Sequence, residues 1–197
     1  GLALFNGTIR TEVRYSVNGR SGVVLFDVIY SPEVPAVWAG QAREVVEDGS
    51  LVYVLKADVR QAGRYIVTGR VDDAAGKPLA LATFNDVLRA GPNEIRLAVF
   101  GKLLRDKAAA MPLTLRDVEG YLLKEDTDPD RALMPRLEGR VLVGRAHAVK
   151  SFSDAEWNGE ERVRHLAEFG RDVERAQKAL AAFDPAQPVP KSRCAPR

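Results

Sequence analysis

Cysteine and histidine are scarce in this sequence, and their scarcity excludes several kinds of site. The 197 residues include one cysteine, Cys194, so no disulfide can form within the chain. Cys194 also lacks a neighbouring histidine or basic pocket that would activate its thiolate. The two histidines, His147 and His165, have no second histidine and no cysteine at helical or hairpin spacing for a metal site. We therefore predict structural or surface roles for both histidines.

Long hydrophobic runs and an excess of one charge are also missing. No apolar run approaches the roughly twenty residues that a helix needs to cross a bilayer, which predicts no transmembrane segment. No charged-then-apolar leader is present. Because the sequence begins inside what looks like a strand, we expect a processed protein or an excised fragment. The net charge is only +2, with acidic and basic residues interleaved. This balance predicts no nucleic-acid partner, because such binding needs a basic surface.

Signatures of catalysis are missing as well. Glycines stand singly at turns and form no phosphate-binding loop. No nucleophile has a histidine and a carboxylate at a spacing that indicates a catalytic triad. We therefore predict that the chain is not an enzyme and has no catalytic residue and no cofactor.

What the sequence does contain is a series of short apolar runs separated by turn residues. Between Gly49 and Phe100 these runs recur about every eight to twelve residues, which is typical of an antiparallel sandwich or barrel. Tyr65, at the start of one run, is expected to bond its hydroxyl group back to the backbone, as in a tyrosine corner. The side chains predicted to face the core are Leu51, Tyr53, Leu55, Ala57, Val59, Tyr65, Val67, Val71, Leu79, Leu81, Thr83, Ile95, Leu97 and Val99.

Residues 1–32 are predicted to form a separate β-hairpin. A second interpretation is that this hairpin is the remnant of an upstream domain of the same chain. Residues 8–17 alternate apolar and polar side chains, and Asn18-Gly19 provides a tight turn. The returning strand, residues 23–30, is apolar on both faces, so we expect both faces to be covered. Asp27 is its exception and is expected at a rim or paired with an arginine.

Residues 33–125 are predicted to form the sandwich. Trp38 follows two prolines and is expected to fill the space between two layers instead of serving as a ligand platform. Residues 101–112 have some helix propensity, but a strand that frays into a loop fits a sandwich better. Residues 113–123 are expected to form the closing strand.

Residues 126–197 are predicted to comprise an extended segment, an amphipathic helix at about 160–183 and a proline-rich tail. Two capping signals precede the helix, one starting at Ser153 and one at Asn158. Its apolar stripe repeats at three and four residues, as in Leu166, Phe169 and Val173. We favour docking of this stripe on the chain's own sheet, and hence a monomer, over a helix-mediated dimer.

Several segments together resemble an immunoglobulin-like module found near the C-terminus of exported bacterial proteins of uncharacterised function. The matching segments are Tyr30–Gly40, Val46–Val52, Ala62–Tyr65, Val71–Gly76, Phe100–Asp106 and Leu115–Val118. The resemblance implies an all-β, immunoglobulin-like antiparallel β-sandwich, here with an added C-terminal α-helix. It also implies a secreted or periplasmic location, and it implies no activity.

The best candidate for chemistry is the acidic run Asp126, Asp128 and Asp130. Carboxylates at alternate positions of a loop can converge on Ca²⁺, which takes six to eight oxygen ligands. An EF-hand is excluded, because Arg131 stands where that loop needs glycine and Leu137 where it needs glutamate. We favour a solvated acidic turn and keep a calcium site as the alternative.

The sequence thus favours a non-catalytic binding or structural module with a protein or carbohydrate partner. The alternatives are an accessory domain of a hydrolase or a cryptic hydrolase, and a calcium-stabilised adhesion module. A deep pocket holding His147 with two carboxylates would favour an enzyme. A flat aromatic patch around Trp38 or Trp157 would favour binding of sugar or protein.

Overall fold

The computed structural model describes residues 5–183. This part of the chain contains two units, one ending at Ala155 and one beginning at Glu156. In chain order its elements are β1 (Gly7–Val17), β2 (Arg20–Tyr30), β3 (Ala36–Glu47), β4 (Ser50–Val59), β5 (Gly63–Asp72), β6 (Pro78–Leu88), β7 (Gly91–Val99), α1 (Gly101–Asp106), β8 (Thr114–Leu123), β9 (Arg131–Leu133), β10 (Leu137–Val143) and α2 (Glu160–Ala181).

The first unit is built from antiparallel sheets. One sheet has the order β3-β4-β7, and a larger one has the order β10-β8-β5-β6 with β9 paired to β8. Together they enclose one apolar core, whose largest fully buried members include Leu51, Tyr53, Tyr65, Ile95, Leu97, Leu104, Leu113, Leu115 and Phe152. The fold is therefore an open, sandwich-like antiparallel β structure with one long C-terminal helix, which confirms the predicted class.

Alternation of apolar side chains correctly predicts the core faces of β4, β5 and β7, but not that of β6. The sequence places Leu81 in the core, whereas its side chain is 69% exposed. β6 pairs Ala80 with Val71 and Phe84 with Val67. Partners in register share a face, and the valines face the core, so Leu81 must point outward.

Tyr65 forms the predicted bond to the backbone. Its hydroxyl oxygen lies 2.7 Å from the carbonyl oxygen of Gln61 and 3.0 Å from that of Pro35, and can donate to either. The side chain is fully buried, and this burial raises the pKa of the phenol to about 12. Tyr65 therefore fixes the chain that enters β3 to the turn before β5.

Residues 101–123 depart from the prediction in two ways. Gly101–Asp106 forms the helix α1 where a fraying strand was favoured, because Leu104 at its centre is fully buried in the core. The close packing of this helix requires glycine at position 101, since a Cβ there would overlap the carbonyl oxygen of Gly49. The following strand, β8, lies inside the larger sheet between β5 and β10 instead of closing it.

The N-terminal hairpin forms as predicted, but its faces are not covered. β1 and β2 turn at Asn18-Gly19, where φ is 50° and 75°. They pair with no other strand in the part of the chain that the structure describes. Leu25 and Phe26, on opposite faces, are 55% and 52% exposed, so the described residues cover neither face of β2 as expected. Asp27 accepts two hydrogen bonds from Arg10, which is the predicted pairing with an arginine.

The helix α2 confirms the predicted C-terminal helix. It begins after Gly159 with no side-chain cap, so neither predicted capping signal is used. No residue of the described helix is buried, and docking of its stripe on the sheet stays a prediction. Within residues 5–183 no helix has the length and apolar character needed to cross a bilayer. The proline-rich tail and Cys194 lie outside the described residues.

Candidate functional site

The candidate site lies between the edge strands β3 and β10, one from each sheet of the sandwich. Both strands are irregular at the same level. The β3–β4 register breaks between Ala39 and Arg43, and the β10–β8 register shifts on either side of Arg140. Gly40 and Gly139 supply the left-handed backbone at these points, with φ of +63° and +69°. The bulges leave main-chain segments of both edges outside the regular ladders.

Hydrogen bonds join β3 to the segments that precede and follow β10, on either side of the bulges. At one end the indole N–H of Trp38 donates to the carbonyl oxygen of Pro135 over 2.6 Å. At the other end the Glu44 carboxylate accepts the backbone N–H of Arg145 at 3.2 Å and Nε2 of His147 at 2.7 Å. β3 and β10 therefore run in the same direction, and the space between them has fixed ends.

Between these bridges is a groove with a volume of about 590 Å³. We call it the edge groove. Its walls combine apolar side chains of the core margin with the two bulges. The residues that line it are Trp38, Ala39, Gly40, Gln41, Ala42, Leu55, Lys56, Arg136, Leu137, Glu138, Arg140, Val141 and Leu142. Trp38 packs against the core and binds Pro135, as expected of a side chain that fills a gap between layers, and it also forms part of this groove.

Cations outnumber anions in the edge groove. Lys56, Arg136 and Arg140 line it together with one carboxylate, that of Glu138, and Lys56 also lies close enough to Glu94 to help lower the pKa of that carboxyl group. Arg136 has only a long contact of 3.8 Å to Glu119, and both side chains are more than half exposed. Arg140 has no ion pair with any residue between 5 and 183. The groove is therefore suited to a ligand with negative charge.

A polar network behind β10 holds its bulge in place. Asp117 accepts the N–H of Gly139 at 2.7 Å, and its own φ is +48°. Arg70 pairs with two carboxylates: it lies 3.4 Å from that of Asp117 and 3.0 Å from the buried one of Asp72. The hydrogen bond from Gly139, aided by the charges of Arg70 and Arg116, lowers the pKa of Asp117 below its usual range. The shape of the groove wall thus depends on an ionised aspartate.

The bridge at Glu44 is largely inaccessible to solvent. The Glu44 side chain is 4% exposed, and one of its oxygens, Oε2, has no hydrogen-bond partner among the described residues. Burial, and to a smaller extent the charge of Glu44, raise the pKa of the nearby Tyr53 phenol. A Cβ at position 144 would overlap Oε2 of Glu44, so Gly144 leaves the space for this carboxylate.

His147 lies at the buried end of this bridge, and its structural or surface role stays a prediction. Its ring meets one carboxylate, not the two that would favour an enzyme, and it packs edge-on against Phe152 at 5.7 Å between ring centres. His165 lies on α2 beside Phe169, with its side chain half exposed. Trp157, in the second unit, is 61% exposed.

The three aspartates of the acidic loop are exposed and differently engaged. Asp130 binds the guanidinium group of Arg131 through both oxygens at 2.7 and 2.9 Å, which lowers the pKa of Asp130. Asp128 accepts a weak hydrogen bond of 3.4 Å from Thr8. No three metal-binding side chains come together anywhere in residues 5–183. The calcium site stays a prediction for which this loop offers no convergent ligand set.

Sequence reasoning missed the edge groove, although two signals for it were present. A single glycine inside a strand pattern indicates a bulge or a close backbone approach, and Gly40 and Gly139 are such glycines. Glu44 carried no signal, because its burial depends on residues about a hundred positions away.

Comparison with known proteins gives one match. No protein-family model matches the sequence, and no curated protein matches it. A solved structure of a DUF4785 family protein from Legionella pneumophila subsp. pneumophila strain Philadelphia 1 is similar, with a TM-score of 0.43 and 14% sequence identity. The match covers 68% of this chain and 35% of the Legionella protein, so it spans about a third of that protein's length. The chain is therefore similar to part of a protein from a family of unknown function.

Proposed function

We propose that the chain is a non-catalytic binding module whose ligand lies in the edge groove. One observation carries the proposal: the bulged edges of β3 and β10 enclose an open groove between two fixed bridges, at Trp38 and at Glu44. Both bridges are direct hydrogen bonds within the module, so the groove is preformed. A preformed site binds without the cost of ordering its walls.

The dimensions and lining of the edge groove support this proposal. Its volume lies within the range of about 300–1,000 Å³ that is usual for ligand sites. Apolar walls such as Leu55 and Val141 alternate with a few cations, and that combination is common where a ligand is held and oriented. The sequence resemblance supports an immunoglobulin-like, exported module. The tyrosine corner of Tyr65 supports the immunoglobulin-like part of this proposal.

A groove-filling variant tests the proposal. Gln41 is exposed in the β3 bulge, so Gln41→Trp fills the groove without disturbing the core. The matched control is Thr83→Trp, at an exposed position of β6, the edge strand at the opposite side of the larger sheet. Both variants and the natural chain are screened against arrayed peptides and arrayed oligosaccharides. We expect binding that Gln41→Trp abolishes and Thr83→Trp retains. Binding that both variants retain equally contradicts the proposal.

A further inference from the structure

We propose that the ligand of the edge groove is an extended polypeptide segment with acidic side chains. This inference rests on the proposed function and specifies the ligand class of the same groove. The segment binds as an added strand: its main chain pairs with the bulged edges of β3 and β10, and its carboxylates meet Lys56, Arg136 and Arg140.

The main-chain part of the argument begins with the edges. β3 and β10 each pair on one side only within the described chain, so their outer N–H and C=O groups face the groove or solvent. Residues 40–42 have no register partner on β4 either. Unpaired strand edges bind another main chain, because an extended peptide presents matching donors and acceptors at the same spacing. The groove thus offers peptide-like hydrogen-bonding groups along its length.

The charges select the kind of peptide. Lys56 stands on the β4 side, and Arg136 and Arg140 stand on the β10 side, so an extended chain in the groove passes between cations. Arginine binds a carboxylate through two parallel hydrogen bonds, and Arg140 makes no ion pair within 4 Å among residues 5–183, although it also lines a second cavity with Asp72 and Asp73. A peptide with glutamate at alternate positions places its carboxylates along one side, within reach of these groups.

Trp38 contributes apolar contact. Its indole N–H already donates to Pro135, so the part of the ring that lines the groove has no hydrogen bond to offer a ligand. A strand whose other side chains are valine or threonine can pack against it. An acidic oligosaccharide would meet the same cations but would leave the strand edges without main-chain partners, and for that reason the groove favours a peptide.

The experiment uses the full chain and a fluorescein-labelled peptide of about eight residues that alternates valine with glutamate, long enough to span the groove. Fluorescence anisotropy measures its affinity. Two further probes carry the test. One replaces each glutamate by lysine, and the other carries N-methyl groups along one edge of the peptide and therefore cannot donate main-chain hydrogen bonds there. We expect the acidic peptide to bind and both altered peptides to lose about tenfold or more in affinity.

Charge reversals locate the binding. Arg140→Glu and, separately, Lys56→Glu are expected to weaken binding of the acidic peptide by about tenfold or more, and added salt to weaken it further. Arg89→Glu is the matched control, because Arg89 is exposed in the turn between β6 and β7 and does not line the groove. We expect it to change the affinity by less than about twofold. Melting curves of each variant show that the chain is folded.

The possible outcomes separate the two proposals. Equal affinity for the N-methylated peptide overturns strand addition. If no acidic peptide binds but a uronic-acid or sulfated oligosaccharide does, and Arg140→Glu abolishes that binding, the inference fails and the proposed function stands. If neither peptides nor saccharides bind in a way that Gln41→Trp abolishes, both proposals fail.

Discussion

Nε2 of His147 lies 2.7 Å from Oε1 of Glu44, although the two residues are 103 positions apart in the sequence. The carboxylate is almost fully buried, and the backbone N–H of Arg145 is its other hydrogen-bond donor. This pair fastens the segment after β10 to the edge of β3. It therefore defines one end of the edge groove and joins the two sheets on their open side.

Removal of the imidazole should leave the Glu44 carboxylate buried with one hydrogen bond. We expect His147→Phe, which keeps a ring against Phe152, to lower the free energy of unfolding by about 3 kcal/mol, measured by urea denaturation. The double variant Glu44→Leu/His147→Phe should recover most of this loss, because apolar groups can replace a buried polar pair at little cost. A single His147→Phe variant as stable as the natural chain would show that the pair contributes nothing.

Two buried tyrosines offer a matched comparison. The Tyr65 hydroxyl reaches two carbonyl oxygens, whereas the equally buried Tyr53 hydroxyl has no hydrogen-bond partner in the described chain. Tyr65→Phe should therefore cost about 1–2 kcal/mol of unfolding free energy, since the carbonyl oxygen of Gln61 loses its hydroxyl donor. The carbonyl oxygen of Pro35 keeps the backbone N–H groups of Arg60 and Gln61 as donors. Tyr53→Phe should change stability by less than about 0.5 kcal/mol or increase it. Equal losses in the two variants would contradict the assigned roles.

Gly101 is expected to tolerate no larger side chain. Gly101→Ala places a methyl group against the Gly49 carbonyl oxygen, and both backbones are held by packing around Ser153. We expect a loss of about 1–3 kcal/mol in unfolding free energy, as for other overpacked sites. Gly170→Ala in α2 is the control, because a Cβ there meets no atom within 4 Å. That change should stabilise the helix by up to about 1 kcal/mol and raise the helix content slightly.

The core face of a strand was predictable where apolar and polar side chains alternate. Leu51, Tyr53 and Leu55 on β4 face the core as the pattern indicates, although Val52 and Val54 on the other face of this strand are buried as well. Leu81 shows where this reasoning fails. Both faces of β6 carry apolar residues, and only the pairing of Ala80 with Val71 decides which face is inside. Register is a property of two strands, and a single stretch of sequence does not specify it.

The edge groove was beyond sequence reasoning for a related reason. It forms from two strands almost a hundred residues apart, and its bridges join Trp38 to Pro135 and Glu44 to His147. Each of these residues has an ordinary interpretation by itself. Their function as a set depends on the relative placement of the two sheets, which only the folded core determines.

Asp117 should make stability depend on pH. Its pKa is lowered in the folded protein, so the carboxylate stabilises the fold above the unfolded pKa of about 3.9. This contribution is lost as the pH falls through the lowered folded pKa. We expect Asp117→Asn to be less stable than the natural chain at pH 7 and the difference to shrink below about pH 4. Thermal melts from pH 2 to 7 measure it, and a difference that is constant over this range would exclude the mechanism.

The apolar stripe of α2 provides the last prediction. The sequence favours docking of this stripe on the sheet, in which case Phe169→Ala would cost about 3–5 kcal/mol. Phe169 is 62% exposed, and Leu166 and Val173 are 56% and 55% exposed. If the stripe does not dock, we expect instead a change of less than about 0.5 kcal/mol in the unfolding free energy of the sandwich. The expected monomer should keep its molar mass by light scattering when diluted. A loss of several kcal/mol would restore docking, whereas a mass that falls from dimer to monomer in Phe169→Ala would identify a second copy as the partner of the stripe.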